Sequence, residues 1–239
     1  MGFTLRVIAR VFTSRLTGVE RNGDTIRRAR AELEGMGVGL TRADAMRLPF
    51  ADNTFDKILM TEVLEHLPDE QAALREIRRV LKPGGTYVLS VPNANYPFWW
   101  DPLNKTLELL FDTHVPSNIW WLAGIWADHE RLYTSDGIRR ALEQSEFEVD
   151  DLQAFTHYCL PFQHFLLYGI GKNLLQRGFL PDAVARSADR FRADETRESV
   201  LNPMSLALKL LHWIDRRNDG LTDPRLSYVD IAVKARKPA

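Results

Sequence analysis

Between Leu16 and Val91 short strand-like runs alternate with helical periodicity, and the connections are brief. Leu16 to Glu20 (LTGVE) reads as a strand ending in an acid. Asn22 stands where a helix cap belongs, ahead of Ile26, Ala29 and Leu33 at helical spacing. Leu40 to Asp44 reads as a further short strand, Phe55 to Met60 (FDKILM) as a buried one, and Thr86 to Val91 (TYVLSV) as the next. Asp69 is placed to cap a helix whose inner face is Leu74, Ile77, Val80 and Leu81. Lys82-Pro83-Gly84-Gly85 then stops it with a cation, a proline and two glycines. A helix also starts almost at Met1, because Leu5, Ile8, Ala9 and Phe12 share one face. Such alternation predicts parallel βαβ units with helices on both faces of a sheet. Ligands of such sheets sit beyond the carboxyl ends of the strands. The residues to follow are therefore Glu20, Asp44, Thr61, Glu62 and Pro92-Asn93.

Composition narrows the class. The 239 residues are 45% hydrophobic and 26% charged, with a formal net charge of −1, so collagen-like and disordered chains are excluded. Cys159 is the single cysteine, which excludes a disulfide scaffold. A near-zero charge gives no basic footprint for nucleic acid. Leu5 to Phe12 is interrupted by Arg6 and Arg10 and has no small-residue cleavage site, so it is not a signal peptide. The uncharged run Leu152 to Gly171 is too polar and broken for a spanning helix. A cytoplasmic protein is the default, with peripheral contact to a membrane surface left open. The length suits a single domain over 1–239: a core of 2–93, 134–152 and 227–236, an aromatic segment over 94–133, and a helical insertion over 155–222 whose last helix is Pro203 to Ile214. Thr134 to Phe147 reads as a helix, Glu148 to Leu152 as a strand, and Ser227 to Lys234 as an edge or penultimate strand.

Several motifs stand in a fixed order: an acid after a strand (Glu20), D-A-x-x-L-P-F (Asp44 to Phe50), F-D-x-I (Phe55 to Ile58), E-V-L-E-H-L (Glu62 to Leu67) and L-K-P-G-G (Leu81 to Gly85). Alone, each is weak, and an isolated acid after a strand is usually a solvated turn residue. In this order they resemble the class I S-adenosylmethionine-dependent methyltransferases of the type 11 kind, from Gly2 to about Leu152 and again from Ser227. The resemblance implies an α/β, Rossmann-like methyltransferase sheet and S-adenosyl-L-methionine as cofactor. It implies that Glu20 accepts from the ribose hydroxyls and Asp44 from the adenine amino group. The backbone N–H of Ala45 or Met46 would meet a ring nitrogen, Leu48 and Phe50 would wall the adenine, and Thr61 and Glu62 would lie near the methionine part. Lys82 to Gly85 reads as a structural turn.

The chain holds 14 glycines but no G-x-G-x-G or G-x-G-x-x-G run. The resemblance implies a glycine-rich loop after a first strand, and Gly2 aligns with its last glycine. The sequence expectation is a chain that begins inside that loop and lacks the first strand. It would leave two strand edges unpaired and apolar faces uncovered, with cofactor binding and activity in doubt unless another segment fills the gap.

Methyl transfer needs an aligned acceptor and often a base. Histidine serves near neutral pH, and the candidates are His129 first, then His66, then His114. The plain reading of His129 is a helix-entry residue bonding a carbonyl. Glu62, Glu65 and His66 spell E-x-x-E-H, which is similar to text in metal-dependent small-RNA and ubiquinone-pathway O-methyltransferases, with His129 the best further ligand. It also occurs in members without metal, so local packing, with no metal bound, is the preferred reading. Trp99, Trp100, Trp120, Trp121 and Trp126, with Tyr96, Phe98 and Phe111, predict aromatic walls and a small, lipophilic acceptor. Cys159 reads as a buried apolar residue. The rival is a non-catalytic methyltransferase-like protein that binds a partner or membrane surface. A nicotinamide dehydrogenase is disfavoured by the Asp44 to Phe50 block and the missing dinucleotide fingerprint.

Overall fold

A computed structural model describes residues 2–11, 14–119, 121–158, 209–210, 213–223 and 226–239. Helix α1 (Gly2–Val11) leads into β1 (Thr17–Glu20), α2 (Gly23–Glu32) and β2 (Gly39–Arg42). Then come β3 (Phe55–Thr61), a 3₁₀ turn (Leu64–His66), α3 (Glu70–Val80) and β4 (Leu81–Pro92). Helix α4 (Pro102–Phe111), a second 3₁₀ turn (Gly124–Trp126), α5 (Ser135–Gln144), β5 (Glu148–Phe155) and β6 (Asp230–Arg236) complete the described elements.

Local chemistry sets the helix starts. Asn22 Oδ1 accepts from the N–H groups of Asp24 at 2.8 Å and Thr25 at 3.1 Å, and Asp69 Oδ1 accepts from Ala72 N–H at 2.9 Å. Each side chain satisfies donors that have no partner within the helix. The predicted inner faces are buried: Ile26, Ala29 and Leu33 around α2, and Leu74, Ile77, Val80 and Leu81 around α3. Helices α3 and α5 lie over the sheet through Leu74, Ile77, Ile138 and Leu142, which join Tyr87, Leu89, Val91, Ile231 and Val233 in one core. Gln71 ties the two helices, donating to Ala141 O and accepting from Ser145 Oγ.

Strands β1 and β2 pair in parallel as one two-stranded sheet, and the order β3-β4-β6-β5 makes a second. Strands β3 and β4 are parallel, while β6 runs antiparallel to both neighbours. The parallel expectation therefore holds for the two βαβ pairs, and β6 is the penultimate strand. Strands β1 and β3 each pair on one side only among the described residues.

Three expectations change. The Phe55 to Met60 strand is not buried: Leu59 is 47% exposed, and Met60 alone is buried within it, because β3 has a single neighbouring strand. The Lys82 to Gly85 turn belongs to β4 as an irregular entry. Phe55 pairs with Leu81, and regular pairing resumes only at Lys57 with Thr86. Gly84 takes φ +72° there, which favours glycine. The short strand placed at 40–44 spans Gly39–Arg42, so Asp44 lies beyond its end. Most of the 155–222 insertion, the greater part of the helix expected over 203–214, Trp120 and Cys159 lie outside the described residues. No helix of the described residues is long and apolar enough to cross a membrane.

Candidate active site

The carboxyl end of the β1–β2 pair carries two acids side by side. Ala43 N–H donates to Glu20 O at 3.1 Å, so the backbone carrying Asp44 is joined to the end of β1. Glu20 Oε1 accepts from Asn22 N–H at 2.9 Å, and Asp44 Oδ1 accepts from Met46 N–H at 2.9 Å. Both acids are half-buried. Each is held by one backbone donor and stands at the surface. That suits acceptance from ribose hydroxyls and an adenine amino group, so the residues present fit the adenosine part of the expected cofactor. The Met46 N–H is engaged by Asp44, and the resemblance offers Ala45 beside it.

Helix α3 fixes the loop that follows Asp44. Glu76 accepts from Leu48 N–H at 2.8 Å. Arg79 donates to Leu48 O at 3.0 Å, to Phe50 O at 2.8 Å and to Asp52 at 2.7 Å. The Arg79 guanidinium holds the Glu76 carboxyl below the usual carboxylate range. Ala45 and Met46 pack on the core that also contains Met60 and Leu64, so this turn and the exit of β3 share one apolar cluster. Gly2 opens α1, and Leu5 of that helix crosses Gly18 closely enough that a Cβ there would meet Leu5 Cδ1 at 2.4 Å.

The exit of β3 is built differently. Thr61, the exposed last residue, pairs with Ser90. Glu62 follows with φ +52°, a left-handed conformation that costs a glutamate free energy and is concentrated at functional sites. Its N–H donates to Ser90 O at 3.1 Å, and its carboxylate accepts from Ser90 Oγ at 2.6 Å. Glu65, in the 3₁₀ turn, is wholly buried, and neither carboxylate oxygen has a hydrogen-bond partner. His66 Nδ1 lies 2.8 Å from Asp128 O; a carbonyl only accepts, so Nδ1 carries the proton. The His66 and His129 rings are 4.6 Å apart. Glu130 N–H donates to Glu65 O at 2.9 Å, and Arg131 donates to the carbonyls of Leu64, Leu67 and Pro68. The segment 128–131 is thereby stitched onto the turn.

The acids at this end act on one another. Burial, then the charge of Glu62 and of Asp230, pushes the Glu65 carboxyl up to about 8. Burial and the Glu62 charge push Asp230 up to about 7 against a hydrogen bond from Thr156. Glu62 is exposed as a residue, yet its carboxylate lies against Ser90, and the water lost there raises it; the bond from Ser90 and the nearby His66 act the other way.

The structure thus brings together His66, His129 and Glu62 from the sequence candidates, and Glu20 with Asp44 separately. It gives His114 another place: its ring stacks on Trp126 at 3.9 Å, and Nδ1 contacts Val115 O. Sequence reasoning did not include Asp230, Ser90 or the Asp128 carbonyl. Asp230 carries no local signal, since the insertion of β6 between β4 and β5 is what delivers it. The aromatic segment is partly structural. Tyr96 and Trp126 both donate to Glu108 at 2.8 Å, whereas Trp99 is 63% and Trp121 50% exposed.

Residues 1–89 match the protein family described as a methyltransferase domain. Methyltransferase GfsG of Streptomyces halstedii is 42% identical over 74 residues, 30% of this chain and 27% of that protein. Cycloartenol-C-24-methyltransferase 1 of Oryza sativa subsp. japonica is 38% identical over 93 residues, 37% of this chain and 27% of that protein. The ubiquinone/menaquinone biosynthesis C-methyltransferase UbiE of Desulfotalea psychrophila is 34% identical over 90 residues, 36% of this chain and 37% of that protein. The chain thus spans roughly a quarter to two fifths of the length of these relatives. Among solved structures, the cyclase SpnF superposes with a TM-score of 0.56 at 20% identity, covering 99% of this chain and 71% of that one. Phosphoethanolamine N-methyltransferase 2 of Haemonchus contortus with bound S-adenosyl-L-methionine gives 0.55 at 16% identity, covering 98% and 46%. These likenesses establish the α/β fold.

Proposed function

We propose that this chain is a class I S-adenosylmethionine-dependent methyltransferase, a reading supported by the match of residues 1–89 to the methyltransferase domain, and that it transfers a methyl group to a small, lipophilic acceptor. The observation that carries this reading is the division of polar groups between two strand ends. Glu20 and Asp44 stand at one, and Glu62, His66 and His129 at the other. Glu20 would accept from the ribose hydroxyls, Asp44 from the adenine amino group, and Ala45 N–H would meet a ring nitrogen. Gly2, in the first turn of α1, lies where free backbone donors favour a carboxylate, and Thr61 and Glu62 would line the methionine part. When bound, the cofactor supplies an electrophilic methyl on a sulfonium. The chain must hold the acceptor in line and help its reacting atom lose a proton. We assign that work to His66 and His129.

The lipophilic acceptor has two supports. Trp99, Trp121, Leu109 and Phe111 expose apolar surface along the 94–133 segment. Relatives of the chain are named for sterol and quinone methylation. The same exposed residues support peripheral contact with a bilayer, which liposome co-sedimentation of the folded chain would detect. Calorimetry with S-adenosylhomocysteine tests the cofactor half. Saturable binding is expected, weakened about tenfold in Asp44→Ala by loss of one hydrogen bond to a charged acceptor. Absence of binding, or an unchanged affinity in Asp44→Ala, overturns the assignment. Label transfer from methyl-labelled cofactor into a sterol or quinone extract tests the acceptor half. Label found only in water-soluble amines would refute the lipophilic reading.

A further inference from the structure

An amphipathic surface helix normally turns its apolar stripe inward and its polar face to water. Helix α4 does the reverse. Asn104 is fully buried, and Lys105 and Glu108 are drawn inward with it. Asn104 Nδ2 donates to Asp101 and to Ala123 O, and Glu108 accepts from the Tyr96 hydroxyl, the Trp126 indole and the Lys105 ammonium. On the outside, Leu103, Thr106 and Leu110 form one stripe at i, i+3 and i+7. Leu109 and Phe111 flank it, 73% and 69% exposed. Even the hydroxyl on this stripe is withheld from solvent, because Thr106 Oγ1 donates to Pro102 O at 2.7 Å, one turn back. The outer face of α4 therefore presents hydrocarbon and no free side-chain donor.

The chemistry of that face says what covers it. Interfaces between proteins carry about one hydrogen bond per 100–200 Å², whereas the hydrocarbon of a bilayer requires that polar groups be satisfied within the segment itself. Helix α4 meets the second condition. Trp99 and Trp121 stand exposed on the same segment, and indole suits the membrane–water boundary, where one end of the ring is apolar and the other wet. The ten residues of α4 extend about 15 Å, half of a hydrocarbon core of about 30 Å, so the helix suits lying in the plane of the interface and not crossing it. The exposed charges of the described residues between 94 and 133 are Asp112, Asp128 and Glu130, all acids. Acids at the rim are repelled by an anionic surface and accept a zwitterionic one.

We propose that α4 is a docking helix for a zwitterionic lipid bilayer, with Leu103, Leu109 and Leu110 in the acyl region and Trp99 and Trp121 at the headgroups. The excursion that carries α4 leaves and returns at the carboxyl end of β4: Ala94 N–H donates to Tyr133 O at 2.7 Å, and Tyr133 N–H to Pro92 O at 3.1 Å. Ser90, two residues before Pro92, bonds Glu62 at the exit of β3. Docking through α4 thus holds the acceptor side of the sheet near the membrane, and a lipophilic acceptor enters from the leaflet. That role rests on the methyl-transfer reading above, while the docking rests on α4 itself.

The test is flotation of the full chain with phosphatidylcholine vesicles. Binding is expected, little changed by high salt, and weakened when phosphatidylglycerol replaces part of the phosphatidylcholine. Leu109→Gln and Leu110→Gln should each weaken it about tenfold by removing one buried leucine, whereas Val11→Gln, equally exposed on α1, should leave it unchanged. Circular dichroism confirms that the variants are folded. In the parent chain, phosphatidylcholine with brominated acyl chains should quench tryptophan fluorescence, and less so in Trp121→Phe. Absence of flotation, flotation reduced as much by Val11→Gln, unquenched tryptophan or a requirement for anionic lipid overturns the docking. A dimer in sedimentation that Leu110→Gln dissociates also overturns it, since a second copy would then cover the face. Cofactor calorimetry on the same samples separates the two readings. Vesicles bound without cofactor sinks methyl transfer alone, and cofactor bound without vesicles sinks this docking alone.

Discussion

Asp101 and Glu65 are both fully withdrawn from water, and the fold treats them in opposite ways. Asp101 caps α4 and is saturated: it accepts from Asn104 N–H at 3.1 Å, from Asn104 Nδ2 at 2.7 Å and from Ile125 N–H at 2.9 Å. Gly124 makes room for it, since a Cβ there would meet Asp101 Oδ2 at 1.7 Å and the residue holds φ +58°. Glu65 receives no hydrogen bond, and burial beside Glu62 and Asp230 pushes its carboxyl up to about 8. A buried acid ringed by donors holds its surroundings together. A buried acid set among other acids keeps its proton. The same residue chemistry thus marks structure in the 94–133 segment and chemistry at the exit of β3.

The sharpest way to break this contrast is to remove each acid in turn. Asp101→Ala strips the helix cap and leaves Ile125 N–H and part of Asn104 unpaired in the interior, at a cost of about 3 kcal/mol. Denaturant unfolding should show it. Should Asp101→Ala unfold no more easily than the parent, the donors around it contribute nothing and the contrast collapses.

Glu65→Gln should behave in the opposite sense and depend on pH. Glu65 keeps its proton up to about pH 8 in the folded chain, whereas the unfolded carboxyl releases its own near 4.5. The folded state then holds more protons across that window. The contribution of this group is fully present below pH 4.5 and is lost as pH rises towards 8, by about 5 kcal/mol in all. Glutamine cannot ionise, so Glu65→Gln should match the parent near pH 4 and exceed it in stability at pH 8. A parent that gains stability between pH 5 and 8 relative to Glu65→Gln would reverse the sign and refute the assigned shift.

What the sequence could show of all this follows the range of the interactions involved. Asn22 and Asp69 act on N–H groups two or three residues away, so both caps were legible, as were the buried faces of α2 and α3. The two acids at the ends of the first strands were legible as strand-end residues. The burial of Phe55 to Met60 was misread, because the exposure of Leu59 depends on which strands lie beside β3 and not on its own apolar run. His66 and His129 could be named as candidates from residue type. Their approach to 4.6 Å depends on Arg131 and Glu130 pinning a loop more than sixty positions downstream. Asp230 looked like one more alternating strand position, and only the antiparallel placement of β6 brings its charge to bear on Glu62.

Effects on the cofactor side should be smaller and confined to binding. Glu20→Ala removes an exposed-side acceptor bonded to Asn22 N–H, so stability should move by no more than about 0.5 kcal/mol while cofactor affinity falls about tenfold. A large loss of stability in Glu20→Ala would place it with Asp101 rather than with an acid that serves the proposed cofactor site.

The smallest effect should come from Arg79→Ala, which touches no proposed ligand. Arg79 donates to Leu48 O, Phe50 O and Asp52, so its loss frees the loop that carries Asp44 without moving Asp44 directly. Binding the cofactor would then have to order a loop that the parent holds already, at a cost of roughly threefold in affinity. A second readout separates positioning from general weakening. Arg79 is the largest cause of the lowered Glu76 pKa, so Arg79→Ala should return the Glu76 carboxyl towards its ordinary value in a carbon-detected titration. An unchanged Glu76 with reduced cofactor affinity would mean that the loop is held by something other than this ion pair. An unchanged affinity with a shifted Glu76 would mean that the loop needs no holding.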